Sequence, residues 1–246
     1  MAENNQKNSS RKKVTEKIIE KVVGKVRKKT EKSNESVLVI CAHSDDQIFG
    51  PGGTIAKYAK EGKTIHTIIF SYGEGSHPWF AKIHTVKVRV KEARAVDKFI
   101  GGEGVVFLGL EDTKISSQFS EKKMYQKLRK LIVAYSPTRI FTHSVDDPLP
   151  DHRAVNRCVV ETVDKMKYPV EVYMFDVWTL FNFKKQSYAH IVVDISDTFR
   201  TKIKALRLFK SQQLALFSLM WSVYYRAWFH GKRNGMKYAE VFYKIR

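Results

Sequence analysis

The chain of 246 residues carries 44 Lys and Arg against 25 Asp and Glu, a formal net charge of +19. That length suffices for one hydrophobic core without staples, and the two unpatterned cysteines, Cys41 and Cys158, exclude a disulfide scaffold and a cysteine zinc finger. No run of about 18 apolar residues exists, which excludes a membrane-spanning helix.

The N-terminus is polar and basic and lacks the apolar centre of a secretory signal. The sequence therefore reads as a cytoplasmic protein with two buried free thiols, and peripheral attachment to a membrane surface stays open. Residues 1–34 hold a net +7 and the rest a net +12, so the body is basic in its own right. Such a field favours polyanions: nucleic acid, an anionic membrane surface or a phosphorylated substrate. No nucleic-acid motif accompanies the charge.

In chain order, residues 1–34 read as a basic extension and residues 35–246 as one domain. Within the extension, Val14, Ile18, Ile19, Val22, Val23 and Val26 recur at helical spacing against a face of Lys and Glu. A charged appendage that packs on the body or stays partly frayed is favoured over a helix lying on an anionic membrane, because no aromatic residue anchors the apolar face. From residue 37 the pattern alternates. Strands are expected at 37–42, 65–71, 105–110, 139–144, 170–177 and 190–195. Helices are expected at Thr54–Lys60, Val86–Phe99, Met124–Tyr135 and His152–Met166, followed by an aromatic-rich helical stretch from Thr198 to about Phe229 and a basic tail, YAEVFYKIR. The alternation predicts an α/β fold, a mostly parallel sheet with helices on both faces. Phe217–Phe229 reads as core or a partner-binding face rather than a membrane element, although Arg226, His230, Lys232 and Arg233 accompany it.

Two polar clusters follow expected strands. AHSDDQIFGPGG (42–53) leaves the first strand, and HSVDDPLPDHRAVN (143–156) leaves the fourth. The carboxyl ends of strands in open α/β sheets form the crevice where ligands bind. His43, Asp45 and Asp46 cannot lie there buried and unpaired, and a divalent cation satisfies them. Imidazole plus carboxylate suits Zn²⁺ and, more loosely, Fe²⁺ or Mn²⁺. Helix capping by Asp45 and Asp46 explains the pair equally well. Asp151 reads as the N-cap of the next helix, and His152 as a third ligand that leaves one position open for water. His143 alone reads as a histidine bonded to backbone. GPGGT (50–54) reads as a tight turn, and Trp79 as either a sugar-stacking or a surface aromatic.

AHSDD with GPGGT, RVKEA (89–93), FLGLED (107–112), PDHRAVN (150–156) and YAEVF (238–242), in that order, resemble the PIG-L/LmbE-like deacetylase family. That family includes enzymes acting on N-acetylglucosaminyl-phosphatidylinositol, on mycothiol and bacillithiol precursors, and on diacetylchitobiose. The resemblance implies a Rossmann-like domain and a mononuclear zinc site that hydrolyses an N-acetyl group from a glucosamine-containing sugar or conjugate. Carried over position by position, His43, Asp46 and His152 match metal ligands, Asp45 the general base, and Arg89 a substrate-binding arginine. The chain departs from the pattern at Ser44, where proline is usual, and at Gln47, where glutamate is usual. Phe209 stands where the family's SQ-containing helix commonly has a histidine. The departure with chemical weight is Leu149, in place of a histidine that helps stabilise the oxyanion. His143 and Asp147 are the candidates to fill that role or to support the ligands from behind. Leu149 also leaves open a catalytically weakened relative that binds a glycan or sugar-lipid. A basic nucleic-acid-binding protein is the remaining alternative.

Overall fold

The structure is a computed structural model, and it describes residues 16–17, 19–21, 23–24, 35–76, 82–121, 123–179 and 188–246. The expectation for Trp79 lies outside these residues. Its centre is a seven-stranded sheet. In chain order the elements are β1 (Ser36–Cys41), α1 (Asp46–Phe49), α2 (Gly52–Lys60), β2 (Thr64–Ser71), α3 (Lys82–Phe99), β3 (Val105–Leu110), α4 (Ile115–Glu121), α5 (Met124–Tyr135), β4 (Arg139–His143), α6 (Pro150–Met166), β5 (Glu171–Phe175), β6 (His190–Asp194), α7 (Phe199–Arg207), α8 (Gln213–Arg233) and β7 (Ala239–Lys244). The spatial order is β3-β2-β1-β4-β5-β7-β6. The first five strands pair in parallel, and β7 runs antiparallel to both β5 and β6.

Period-two alternation explains why β1 tolerates no polar residue over Val37–Cys41. Val37, Val39 and Cys41 enter one core layer with Phe49, Ile55, Phe199 and Leu206. Leu38, Ile40 and Ala42 enter the other with Leu128, Leu131, Val155 and Val159. A strand covered on both faces reads as a continuous apolar run. Ile19 of the extension is buried in this second layer, and Val23 packs against it. No helix among the described residues is long and apolar enough to cross a membrane.

The structure differs from the expected elements in three places. The tail from Ala239 is a strand, β7, inserted between β5 and β6. The stretch from Thr198 to Phe229 breaks after Arg207 and restarts through a short 3₁₀ turn at Lys210–Gln212. Asp151 is not an N-cap: Leu149 holds that position, with Pro150 in the first turn, where a missing N–H costs nothing.

β7 also latches the loop after β1. Glu240 accepts hydrogen bonds from the N–H groups of Gly53 and Thr54 and from the Thr54 hydroxyl, capping α2. The Lys202 ammonium lies 2.7 Å from Glu240 and donates to the Phe49 and Gly50 carbonyls that end α1. Both side chains are buried, so each neutralises a charge the other would strand.

Asp97, near the end of α3, is buried against the Thr67 hydroxyl and the Gly104 N–H. Burial pushes its carboxyl from 3.8 up to about 7. The raised folded-state value means that this group's contribution to stability is fully present below about pH 4 and is lost as the pH rises towards 7. Asp97→Asn is expected to abolish that decline, worth on the order of 4 kcal/mol. Chemical denaturation of both forms across pH 4–8 measures it; parallel curves would refute the assignment.

Candidate functional site

Strand order reverses direction between β1 and β4, since β2 and β3 lie to one side and β5 to the other. The crevice above that switch point is the ligand site of open α/β sheets. The two polar clusters leave β1 and β4 there, and the fold brings them together. His43, Asp46 and His152 offer ligand atoms that all lie within 4.8 Å of one another. His43, Asp112 and Asp151 form an adjoining group of the same reach. Beside them is a cavity of about 220 Å³, whose wall includes Asp45, Arg89, Leu149, Trp178, Gln212 and Leu219.

Each histidine is held by a different carboxylate. The Asp147 carboxylate is 3.0 Å from His152 Nδ1. His152 Nε2 lies 3.4 Å from Asp46 Oδ1, and neither buried nitrogen of the ring meets hydrogen-bond geometry. An imidazole with a carboxylate beside Nδ1 and its Nε2 turned towards the ligand group is the arrangement metal-ligating histidines adopt. His43 Nε2 lies 3.0 Å from Asp112 Oδ1, and its Nδ1 lies 3.5 Å from Asp46 Oδ2. Asp46 also accepts the His43 backbone N–H at 2.7 Å, which closes the loop on itself. These donors fit a divalent cation: two imidazoles, one carboxylate and an unpartnered buried nitrogen.

Electrostatics fit the same reading. Burial opposes charge on His43, yet hydrogen bonds to Asp112 and Asp46 carry it up to about 10. Burial likewise opposes charge on His152, and Asp46 with Asp147 carries it up to about 9. Protons on these rings are what a cation would replace. Asp46 is held well below the usual carboxylate range: burial is outweighed by the His152 and His143 rings. Asp45 moves the other way, raised by burial against the pull of Arg89. Two adjacent carboxylates thus have their proton affinities driven apart.

Arg89, on α3, gives Nε to Ser44 Oγ at 3.2 Å and Nη1 to the Gly73 carbonyl at 3.0 Å, and its Nη2 lies 3.4 Å from Asp45 Oδ1. Gly73 has a φ of +66°, and a Cβ there would stand 2.3 Å from Arg89 Nη1, so only glycine lets the guanidinium in. The arginine borders the cavity but is spent on holding Asp45. His143 and Asp147 do not line the cavity. His143 Nε2 accepts the Ala42 N–H at 3.0 Å, and its ring stacks at 3.8 Å behind His152. Asp147 accepts rather than donates, towards His152 and the Leu149 N–H. Both residues therefore lie behind His152, away from the cavity wall.

Four residues of the site escaped the sequence reading. Asp112 ends FLGLED, Asp151 precedes His152, and Trp178 and Gln212 come from the loop after β5 and the 3₁₀ turn before α8. Asp151 accepts the N–H of Thr113, which holds that β-branched residue at a φ of +67°. A carboxylate closing the FLGLED strand was the one available signal for Asp112.

The model of the family described as PIG-L, GlcNAc-PI de-N-acetylase, matches residues 38–163. A probable N-acetyl-alpha-D-glucosaminyl L-malate deacetylase 2 of Bacillus cereus is 27% identical over 188 residues, covering 73% of this chain and 84% of that protein. The diacetylchitobiose deacetylase of Thermococcus kodakarensis is 24% identical over 226 residues, covering 84% and 81%. A 4-oxalmesaconate hydratase of Pseudomonas putida is 29% identical over 120 residues, and the match spans only 45% of its length. Among solved structures, the N,N'-diacetylchitobiose deacetylase of Pyrococcus horikoshii superposes with a TM-score of 0.71 at 22% identity, covering 86% of this chain and 84% of that one. The matched segment runs from within β1 into α6 and contains His43, Asp45, Asp46, Arg89, Leu149 and His152; the chain belongs to the PIG-L de-N-acetylase family.

Proposed function

We propose that this protein is a zinc-dependent hydrolase that removes an N-acetyl group from a glucosamine-containing sugar or sugar conjugate, with Asp45 as general base. The observation that carries the reading is the pairing, on one cavity, of an Arg89-held carboxylate with a His43–Asp46–His152 cluster whose His152 Nε2 has no partner. The deacetylase names of two relatives support the substrate class.

His43, Asp46 and His152 would hold the ion, which when bound polarises the amide carbonyl and acidifies water. Asp45 takes the proton of the attacking water and returns it to the departing amine. Arg89 keeps the Asp45 carboxylate aimed at the cavity. Asp147 fixes the His152 tautomer, and Asp112 does the same for His43. Leu149 puts an apolar wall where an imidazole donor is expected, so the cavity's neutral side-chain donors outside the ligand set are the Gln212 carboxamide and the Trp178 indole.

Release of acetate from N-acetylglucosamine conjugates by zinc-loaded protein tests the proposal, with 4-oxalmesaconate hydration as the control reaction. Acetate release supports it; hydration without acetate release overturns it. Leu149→His is expected to raise the rate of acetate release tenfold or more, since one oxyanion donor is worth roughly 10²–10³ in rate. An unchanged rate would mean that Gln212 or Trp178 already supplies that donor.

A further inference from the structure

Helix α8 has two apolar faces, and the protein uses one. Leu216, Leu219, Val223 and Ala227 are buried in the core layer shared with α2, α3 and α7. On the other side Leu214, Phe217, Trp221, Tyr224 and Trp228 are between 41% and 89% exposed. Their spacing alternates three and four, so at 100° per residue they fall in an arc of about 80° and form a stripe about 21 Å long. Five large side chains aligned in this way form one patch rather than scattered surface apolar residues.

The charge around the stripe says what covers it. From Thr198 to Ala239 the sequence contains no Asp or Glu and nine Lys or Arg. Arg200, Lys204 and Arg207 are the exposed basic positions of α7, Lys210 precedes α8, Lys232 and Arg233 stand in its last turn, and Lys237 follows it. None of these seven makes an ion pair among the described residues. Tryptophan and tyrosine, with an apolar body and a polar N–H or O–H, prefer the boundary between hydrocarbon and water. A second copy of the chain laid on this face would set one acid-free stretch against another. Ile19 of the N-terminal extension is buried in the opposite core layer.

We propose that α8 docks in the plane of an anionic phospholipid surface, its Leu214–Trp228 stripe buried among the acyl chains and head groups and its flanking Lys and Arg on lipid phosphates. The docking does not depend on the hydrolytic assignment. It does fix the orientation of the cavity, since Gln212 and Leu219, at the start of the same helix, line its wall.

Co-sedimentation of the full chain with vesicles of phosphatidylcholine, alone and mixed with phosphatidylglycerol, tests this. Binding is expected only to the mixed vesicles, with a blue shift of tryptophan emission. The doubly substituted Phe217→Ser, Trp221→Ser protein is expected to partition about tenfold or more weakly. Lys204→Glu with Arg207→Glu is expected to weaken binding by a similar factor. All four positions are exposed, and circular dichroism checks that the variants fold. Unaltered binding by the aromatic variant would overturn the proposal, as would absence of binding to mixed vesicles. A dimer in sedimentation analysis that the aromatic variant dissociates, without vesicle binding, would assign the stripe to a second copy.

Discussion

His152→Ala is expected to purify with almost no metal, against about one ion per chain in the unaltered protein, as read by elemental mass spectrometry. The argument is geometric. His152 comes from the first turn of α6, and His43 and Asp46 from the loop after β1, so the ligand group exists only where β1 and β4 lie side by side. Removing the imidazole leaves two ligands, one of them anchored elsewhere by Asp112. Asp147→Asn is expected to fall between, with affinity reduced 10- to 100-fold, because the imidazole remains but its tautomer is no longer fixed. Full occupancy in His152→Ala would remove the cluster as the binding site.

Asp45→Asn is expected to keep its metal and lose between roughly 10² and 10⁴ of its hydrolytic rate. The amide oxygen can still accept from Arg89, so the buried guanidinium keeps a partner and the fold should hold. The amide cannot take a proton from water. Metal content and acetate release measured on the same preparation separate this outcome from a damaged site. Full activity with full metal would refute Asp45 as the base, whereas loss of both would move Asp45 into the ligand group.

Sequence and structure agree best where local pattern and burial coincide. The run Val37–Cys41 can only be a strand covered on both faces; His43 and Asp46 stand just beyond the end of β1 and His152 opens the helix that follows β4, the places where the family resemblance expects ligands. The strand at Ala239–Lys244 was not legible, since six residues with mixed burial are extended only by pairing with β5 and β6. Asp112 was missed for a related reason: it meets His43 across 69 residues of chain, a contact set by sheet order and not by spacing. Arg89 was recognised as part of the site, but its partner Asp45 emerges only from the packing of α3 against the β1 loop. Leu149 is the reverse case, where the sequence showed a missing imidazole and the structure adds that Gln212 and Trp178 share the wall.

The latch between Glu240 and the first turn of α2 has a consequence for biosynthesis. Its two halves are separated by 187 residues, so the acidic half is made long after the loop it holds. While the chain is being made, β1 and β4 can pair before Glu240 has emerged, and until then Lys202 lacks its counter-charge. The loop after β1 is therefore loose in the nascent protein and tightens when β7 enters the sheet between β5 and β6. Loss of the Glu240 carboxylate, remote in sequence from His43, Asp46 and His152, would leave most of the sheet and a loop without its latch.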